Sequence, residues 1–146
     1  FRYTIGNKEI VKLEDELDFT KSYGDLMKIR YGDNLKIDYQ INDMYLNYYI
    51  LPVSLQLLVE NAIKHNVVSG KYPLRIIIET TDNTCIRVSN IIQPKSNVEP
   101  CEGIGLMNLI ERYSLLFQQH VSISSNQIFS VEVPLIKELK SGMTSL

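Results

Sequence analysis

Pro52-Val53-Ser54-Leu55-Gln56-Leu57-Leu58-Val59-Glu60-Asn61-Ala62-Ile63-Lys64-His65-Asn66 is the stretch on which the reading of this chain turns. At about 100° per residue, Leu55, Leu58, Val59, Ala62 and Ile63 gather on one side of a wheel, which predicts a helix laid on a core. Pro52 suits its first turn, where a missing N–H is not needed. The opposite arc carries Gln56, Glu60, Asn61, Lys64 and His65. Glu60 and Lys64 stand one turn apart, the spacing of an exposed ion pair worth a few tenths of a kcal/mol. Asn61 and His65 are also one turn apart but border the apolar stripe. An amide and an imidazole in that place suit either a satisfied polar edge or the lip of a cleft.

Working outward, Leu74–Thr80 and Cys85–Ile91 read as strands joined by the turn Thr81-Asp82-Asn83-Thr84. Upstream, Leu35-Lys36-Ile37-Asp38-Tyr39-Gln40-Ile41-Asn42 alternates strictly, predicting a strand with Leu35, Ile37, Tyr39 and Ile41 toward the core. Residues 8–31 have apolar positions at Ile10, Leu13, Leu17, Met27 and Tyr31, an amphipathic helix weakened by Gly24 and stopped at Gly32-Asp33-Asn34. Met44–Tyr49 reads as an aromatic-rich link. Ser96–Gly105 has no periodicity and predicts a loop, followed by a helix over Leu106–Gln119. Val121–Ser125 and Phe129–Leu135 form a closing hairpin around Asn126-Gln127, and residues 138–146 read as a solvated tail. The sum is an α+β, two-layer sandwich with an approximately five-stranded mixed sheet, helices on one face, and an appended N-terminal helix.

Composition narrows the function. The chain has 146 residues, 45% of them hydrophobic, which fits one folded domain of ordinary size. A net charge of −2 gives no footprint for nucleic acid or an anionic membrane surface. No apolar run approaches the ~20 residues of a membrane span, and no leader sequence is visible. Cys85 and Cys101 form no CxxC pair, and His65 and His120 stand far apart, so zinc has no support. A disulfide between the two cysteines stays open beside the plainer reading of a reducing cytoplasm. A first residue other than Met points to an excerpt from a longer polypeptide.

A second candidate site is Glu102-Gly103-Ile104-Gly105-Leu106-Met107-Asn108. Two glycines before a helix let backbone N–H groups and the helix dipole approach an anion, although a tight loop entry is the commoner reason for such a pair. Asn108 and Arg112 follow at i and i+4, an amide and a guanidinium on one face that either serve the same anion or lie on a plain surface.

The order of these parts resembles the nucleotide-binding (Bergerat) fold shared by gyrase, MutL and histidine kinases, the GHKL superfamily. Leu57-Leu58-Val59-Glu60-Asn61-Ala62-Ile63-Lys64-His65 is similar to its asparagine box. More narrowly it looks like the LytS-type sensor histidine kinases, as do Ile50-Leu51-Pro52, Phe1-Arg2-Tyr3 and Gly103-Ile104-Gly105-Leu106-Met107-Asn108-Leu109-Ile110-Glu111-Arg112-Tyr113. The likeness runs from Phe1 to about Leu135. It implies an ATP-binding catalytic domain over residues 34–137, preceded over residues 1–33 by the last helix of a dimerisation region. By the same resemblance Asn61 binds Mg²⁺, and Lys64 and His65 reach the phosphates or ribose of ATP. Gly103, Gly105 and Leu106 wrap the phosphates with Asn108 and Arg112 nearby, and residues 92–102 form a lid. Glu60 polarises the site, a catalytic role shared with Lys64.

Departures accompany the likeness. At the superfamily's DxGxG motif this chain reads Val88-Ser89-Asn90-Ile91-Ile92, so Asn90 replaces the Asp that meets adenine, and both glycines are absent. Ile128-Phe129 stands in place of the late Gly-Thr. Leu57 occupies the place of the general base in the hydrolysing members, and it accepts no proton, which turns the expectation from hydrolysis to phosphoryl transfer. Neither His65 nor His120 suits the phosphate acceptor. The resemblance therefore implies a kinase domain whose acceptor histidine lies on an upstream segment and which binds nucleotide without phosphorylating itself. Its partners are a response regulator and, through the dimerisation segment, a second copy. It would be cytoplasmic, with any membrane anchor in parts not present here. The rival expectation is a module with a degraded pocket, kept for dimerisation and regulator contact.

Overall fold

A computed structural model describes residues 3–5, 8–95 and 103–137. In chain order the elements are β1 (Tyr3–Ile5), β2 (Lys8–Lys12), α1 (Leu13–Tyr31), β3 (Leu35–Gln40), β4 (Tyr49–Ile50) and α2 (Ser54–His65). They continue with β5 (Leu74–Thr81), β6 (Cys85–Ile91), α3 (Ile104–Phe117), β7 (Ser122–Ser125) and β8 (Ile128–Pro134). A five-stranded mixed sheet has the order β3-β5-β6-β8-β7, with β3 parallel to β5 and every other pairing antiparallel. β1, β2 and β4 make a small second sheet.

The alternation of the strands assigns the two faces of the large sheet. Leu35, Leu74, Ile76, Ile78, Ile86, Val88, Val131 and Val133 are buried beneath the helices. On the open face, Arg87 lies opposite Glu132 and Glu79 in the register and bonds both carboxylates, at 3.0 and 3.2 Å. The stripe of α2 is as its periodicity dictates, with Leu55, Leu58, Val59, Ala62 and Ile63 all buried.

Several boundaries differ from the sequence reading. Residues 8–12 are a strand, not the first turns of a helix. Ile10 and Val11 are both buried, because β2 is the middle strand of the small sheet and is covered on both faces. The link before Pro52 contains β4, which pairs with β2 and is bridged to Ile136 through Tyr49. α2 begins at Ser54, so Pro52 stands in the preceding turn. α3 runs from Ile104 to Phe117 rather than from Leu106 to Gln119, which puts Gly105 inside the helix. Along β3 only Leu35 is fully buried, since this strand is a sheet edge.

α1 is not an appendage. It packs on α2 and β3 and buries Leu13, Glu16, Leu17, Thr20 and Gly24. Gly24 permits the approach, as a Cβ there would stand 3.0 Å from Ile37 Cδ1. Gly32 ends the helix at φ 58, a conformation that glycine adopts at little cost.

The α1–β3 seam makes stability sensitive to alkali. Tyr39 lies against α1, and partial burial, with the Asp25 carboxylate adding to it, pushes its hydroxyl up to about 12. The fold therefore prefers the neutral phenol. The stability it supplies is present below the ordinary tyrosine value of about 10 and is lost as pH rises through the folded value. The urea midpoint is expected to fall between about pH 10 and 12, and Tyr39→Phe to remove part of that slope.

Candidate functional site

α2 is the element from which the candidate site is built, and neighbours hold it at both ends. At its start no side chain of its own caps the helix, and Val53 takes a left-handed conformation with φ 68. The Glu16 carboxylate of α1 supplies the cap, accepting the N–H groups of Val53 and Leu55, each at 3.0 Å. At the far end, Asn66 Nδ2 donates to the Ala62 carbonyl at 2.8 Å, and its Oδ1 accepts the N–H of Gln93 at 2.7 Å. Val67 N–H donates to the Gln93 carbonyl at 2.7 Å. The end of the asparagine-bearing helix is thus sewn to the chain leaving β6, just beyond Asn90.

On the arc away from the stripe, Glu60, Asn61 and His65 are half-buried and Lys64 is exposed. Glu60 accepts from Gln56 Nε2 at 3.2 Å, which fixes its carboxylate along the helix. It also faces α1, where its charge adds to burial in raising the Tyr23 hydroxyl. Asn90 is buried at 4% exposure on the helix side of β6, and its Nδ2 donates to the Ile91 carbonyl at 2.9 Å. That bond leaves Oδ1 for an acceptor role.

The glycine segment comes to the same side of the molecule as the asparagine. A Cβ at Gly105 would stand 2.8 Å from Leu57 Cδ1. The first turn of α3 therefore lies directly on α2, one helical turn before Asn61. Leu57, half-buried on α2, is used for this helix contact. Gly103 differs, because an added Cβ there meets nothing within 4 Å and the residue is the exposed N-cap of α3. Leu106 is half-buried, while Asn108 and Arg112 are exposed on α3. Of the segment 92–102, residues 96–102 lie outside the described residues, as does the tail 138–146.

The two glycines can be separated by experiment. Gly103→Ala is expected to change unfolding free energy by no more than about 1 kcal/mol, as it adds a methyl to open space at a cap position. Gly105→Ala forces the end of Leu57 aside, and its cost is expected to shrink in a Leu57→Ala background. A double-mutant cycle in urea should show a coupling of about 1 kcal/mol.

The donor set bears on a metal. Among the described residues no group of three His, Cys, Asp or Glu side chains could hold an ion. Mg²⁺ commonly takes one or two protein oxygens and completes its shell with phosphates and water. The half-buried Asn61 on α2 offers one amide oxygen, a donor of the kind that shared mode uses.

Sequence reasoning missed Glu16 and Asn66. Glu16 sits in Leu13-Glu14-Asp15-Glu16-Leu17-Asp18, a run that reads as a solvated helix start. Only the buried positions flanking it hinted that one carboxylate turns inward.

The histidine kinase family pattern matches residues 1–35, about a quarter of the chain. The chain is similar to the sensor histidine kinase/phosphatase LytS of Staphylococcus aureus strain MRSA252, 33% identical over 89 residues, covering 60% of this chain and 15% of that protein. It is also similar to the sensor histidine kinase YesM of Bacillus subtilis strain 168, 30% identical over 121 residues, 75% of this chain and 20% of that protein. The chain spans a fifth or less of these curated relatives. Its fold is similar to the nucleotide-free catalytic domain of histidine kinase ThkA, with TM-score 0.58 at 18% identity, covering 88% of this chain and 97% of that one. Full-length ShkA in complex with AMPPNP matches with TM-score 0.53 at 15% identity, covering 90% of this chain and 32% of that one. No helix among the described residues is long and apolar enough to cross a membrane. An asparagine-bearing helix clasped against a glycine-led one, in this sheet order and with these relatives, makes the chain a homologue of the LytS-type sensor histidine kinases with the fold of a histidine kinase catalytic domain.

Proposed function

We propose that this chain binds Mg-ATP and positions it for phosphoryl transfer to a histidine on an upstream segment of a longer sensor kinase. The observation that carries the reading is the contact of Gly105 with Leu57, which sets the glycine segment beside the turn that precedes Asn61. In this reading Asn61 holds Mg²⁺ through its amide oxygen, and Lys64 and His65 serve the phosphates or ribose. Gly103, Gly105 and Leu106 lie along the phosphates, with Asn108 and Arg112 at the rim, and Asn90 accepts from the adenine amine through Oδ1. Bound Mg²⁺ would neutralise charge on the transferring phosphoryl group. Glu60 orients the polar arc of α2. With Leu57 packed on Gly105, the position one turn before Asn61 offers no base for water, which favours transfer over hydrolysis. The domain would sit in the cytoplasm, dimerise through its upstream segment and hand phosphate to a response regulator.

The ShkA complex with AMPPNP supports nucleotide binding by this fold. One observation favours the rival reading of a degraded module: Asn90 in place of the adenine-binding Asp lacks the charge that would strengthen that bond. Thermal unfolding with added Mg-ADP separates the two. At about 100 times the dissociation constant, nucleotide should stabilise by about 2.7 kcal/mol. No shift at millimolar Mg-ADP would favour the module. A polypeptide extended upstream should become labelled on histidine with γ-labelled ATP, while the chain by itself should not.

A further inference from the structure

Glu16 is 4% exposed, an ionisable side chain enclosed between α1 and the start of α2. Its two oxygens take different donors, Oε1 the N–H of Val53 and Oε2 that of Leu55. These are the residue before α2 and its second residue, positions where a helix leaves N–H groups without partners. The carboxylate also lies at the positive end of the α2 dipole. Val53 is β-branched and left-handed there, a conformation that persists only where the surroundings impose it. From the other side, the Tyr113 hydroxyl of α3 accepts the Leu51 N–H at 3.1 Å, and Ser54 Oγ donates to the Leu51 carbonyl at 2.6 Å. The entrance of α2 is therefore gripped by α1 and α3 together. At 1.5 Å per residue, Asn61 stands only about 9 Å along the axis from Leu55, and packed helices transmit such a shift with little slack.

We propose that Glu16 is a positioning residue of the nucleotide site: by capping α2 from another helix, it sets where the Asn61 amide stands relative to Gly103 and the start of α3. The role rests on the nucleotide-binding reading above, and it makes the position of α1 an input to that site.

Glu16→Gln tests it, since the amide keeps the volume but has only one oxygen to accept. Two measurements are made on fully folded protein. One is the side-chain NH₂ signal of Asn61 in the nucleotide-free state, assigned by its loss in Asn61→Asp. The other is the dissociation constant for Mg-ADP by calorimetry. Glu16→Gln should move the Asn61 signal and weaken Mg-ADP at least tenfold. Val133→Ala, a core truncation at the end of β8 remote from Asn90, should lower the melting temperature and leave both readouts unchanged. Should Glu16→Gln fail to fold, Glu16→Asp, which keeps the charge but cannot span both donors, should show the same pair of changes. An unmoved Asn61 signal in a protein that binds Mg-ADP normally overturns the role of Glu16 and spares the nucleotide site. Absence of Mg-ADP binding by the wild-type chain overturns the nucleotide site, and the Asn61 signal alone then decides whether Glu16 sets the position of α2.

Discussion

Asn61→Ala is expected to abolish the stabilisation by Mg-ADP while leaving the ligand-free protein close to wild type. The side chain is half-buried and lies outside the apolar stripe of α2. Truncation there costs no more than about 1 kcal/mol, the range of a partly exposed substitution, and alanine favours the helix. The ligand-dependent part behaves differently. Nucleotide present at about 100 times the wild-type dissociation constant contributes about 2.7 kcal/mol, and all of it goes if Asn61 holds the metal as proposed above. Paired melting curves with and without Mg-ADP read both quantities at once. A variant that keeps its nucleotide shift would remove Asn61 from the metal site.

The second large effect concerns folding. Tyr113→Ala should lower the unfolding free energy by about 3–5 kcal/mol, the range for deleting a buried aromatic ring. The Tyr113 ring is fully buried, lies 5.7 Å from Phe117 between centroids, and carries the hydroxyl that receives the Leu51 N–H. Burial, ahead of all other causes, pushes that hydroxyl well above the ordinary tyrosine value. Tyr113→Phe isolates the hydroxyl: it keeps the ring, orphans the Leu51 N–H and should cost about 1–3 kcal/mol. Against a total of roughly 5–15 kcal/mol, the alanine variant should lose a large share of its stability. Urea denaturation of the two variants separates packing from hydrogen bonding.

Most of the large sheet was legible from alternation in one strand and from the turns that separate the others. Strict alternation identified β3, the turn Thr81-Asp82-Asn83-Thr84 identified β5 and β6, the turn near Asn126-Gln127 identified the closing hairpin, and the apolar stripe identified α2. The small sheet was not legible for a physical reason. Lys8–Lys12 buries both Ile10 and Val11, so it shows no alternation, and Ile10, Leu13 and Leu17 extend a helical spacing into it. Tyr49–Ile50 is too short to show any period. In the candidate site, the residue types facing outward on α2 were readable one by one. The supports were not, because each joins distant parts of the chain: Glu16 to Val53 and Leu55, Asn66 to Gln93, and Gly105 to Leu57. Gly105 illustrates the limit. The letter alone does not say that Leu57 of the neighbouring helix approaches it.

The bridge between Tyr49 and Ile136, with N–H···O bonds of 2.8 and 2.9 Å in both directions, has a consequence for biogenesis. The platform beneath α1 cannot be completed during synthesis until Ile136 has left the ribosomal tunnel, some eighty-odd residues after Tyr49. At about 5–20 residues per second, the nascent chain waits several seconds with that strand edge open, an interval in which a chaperone would find it.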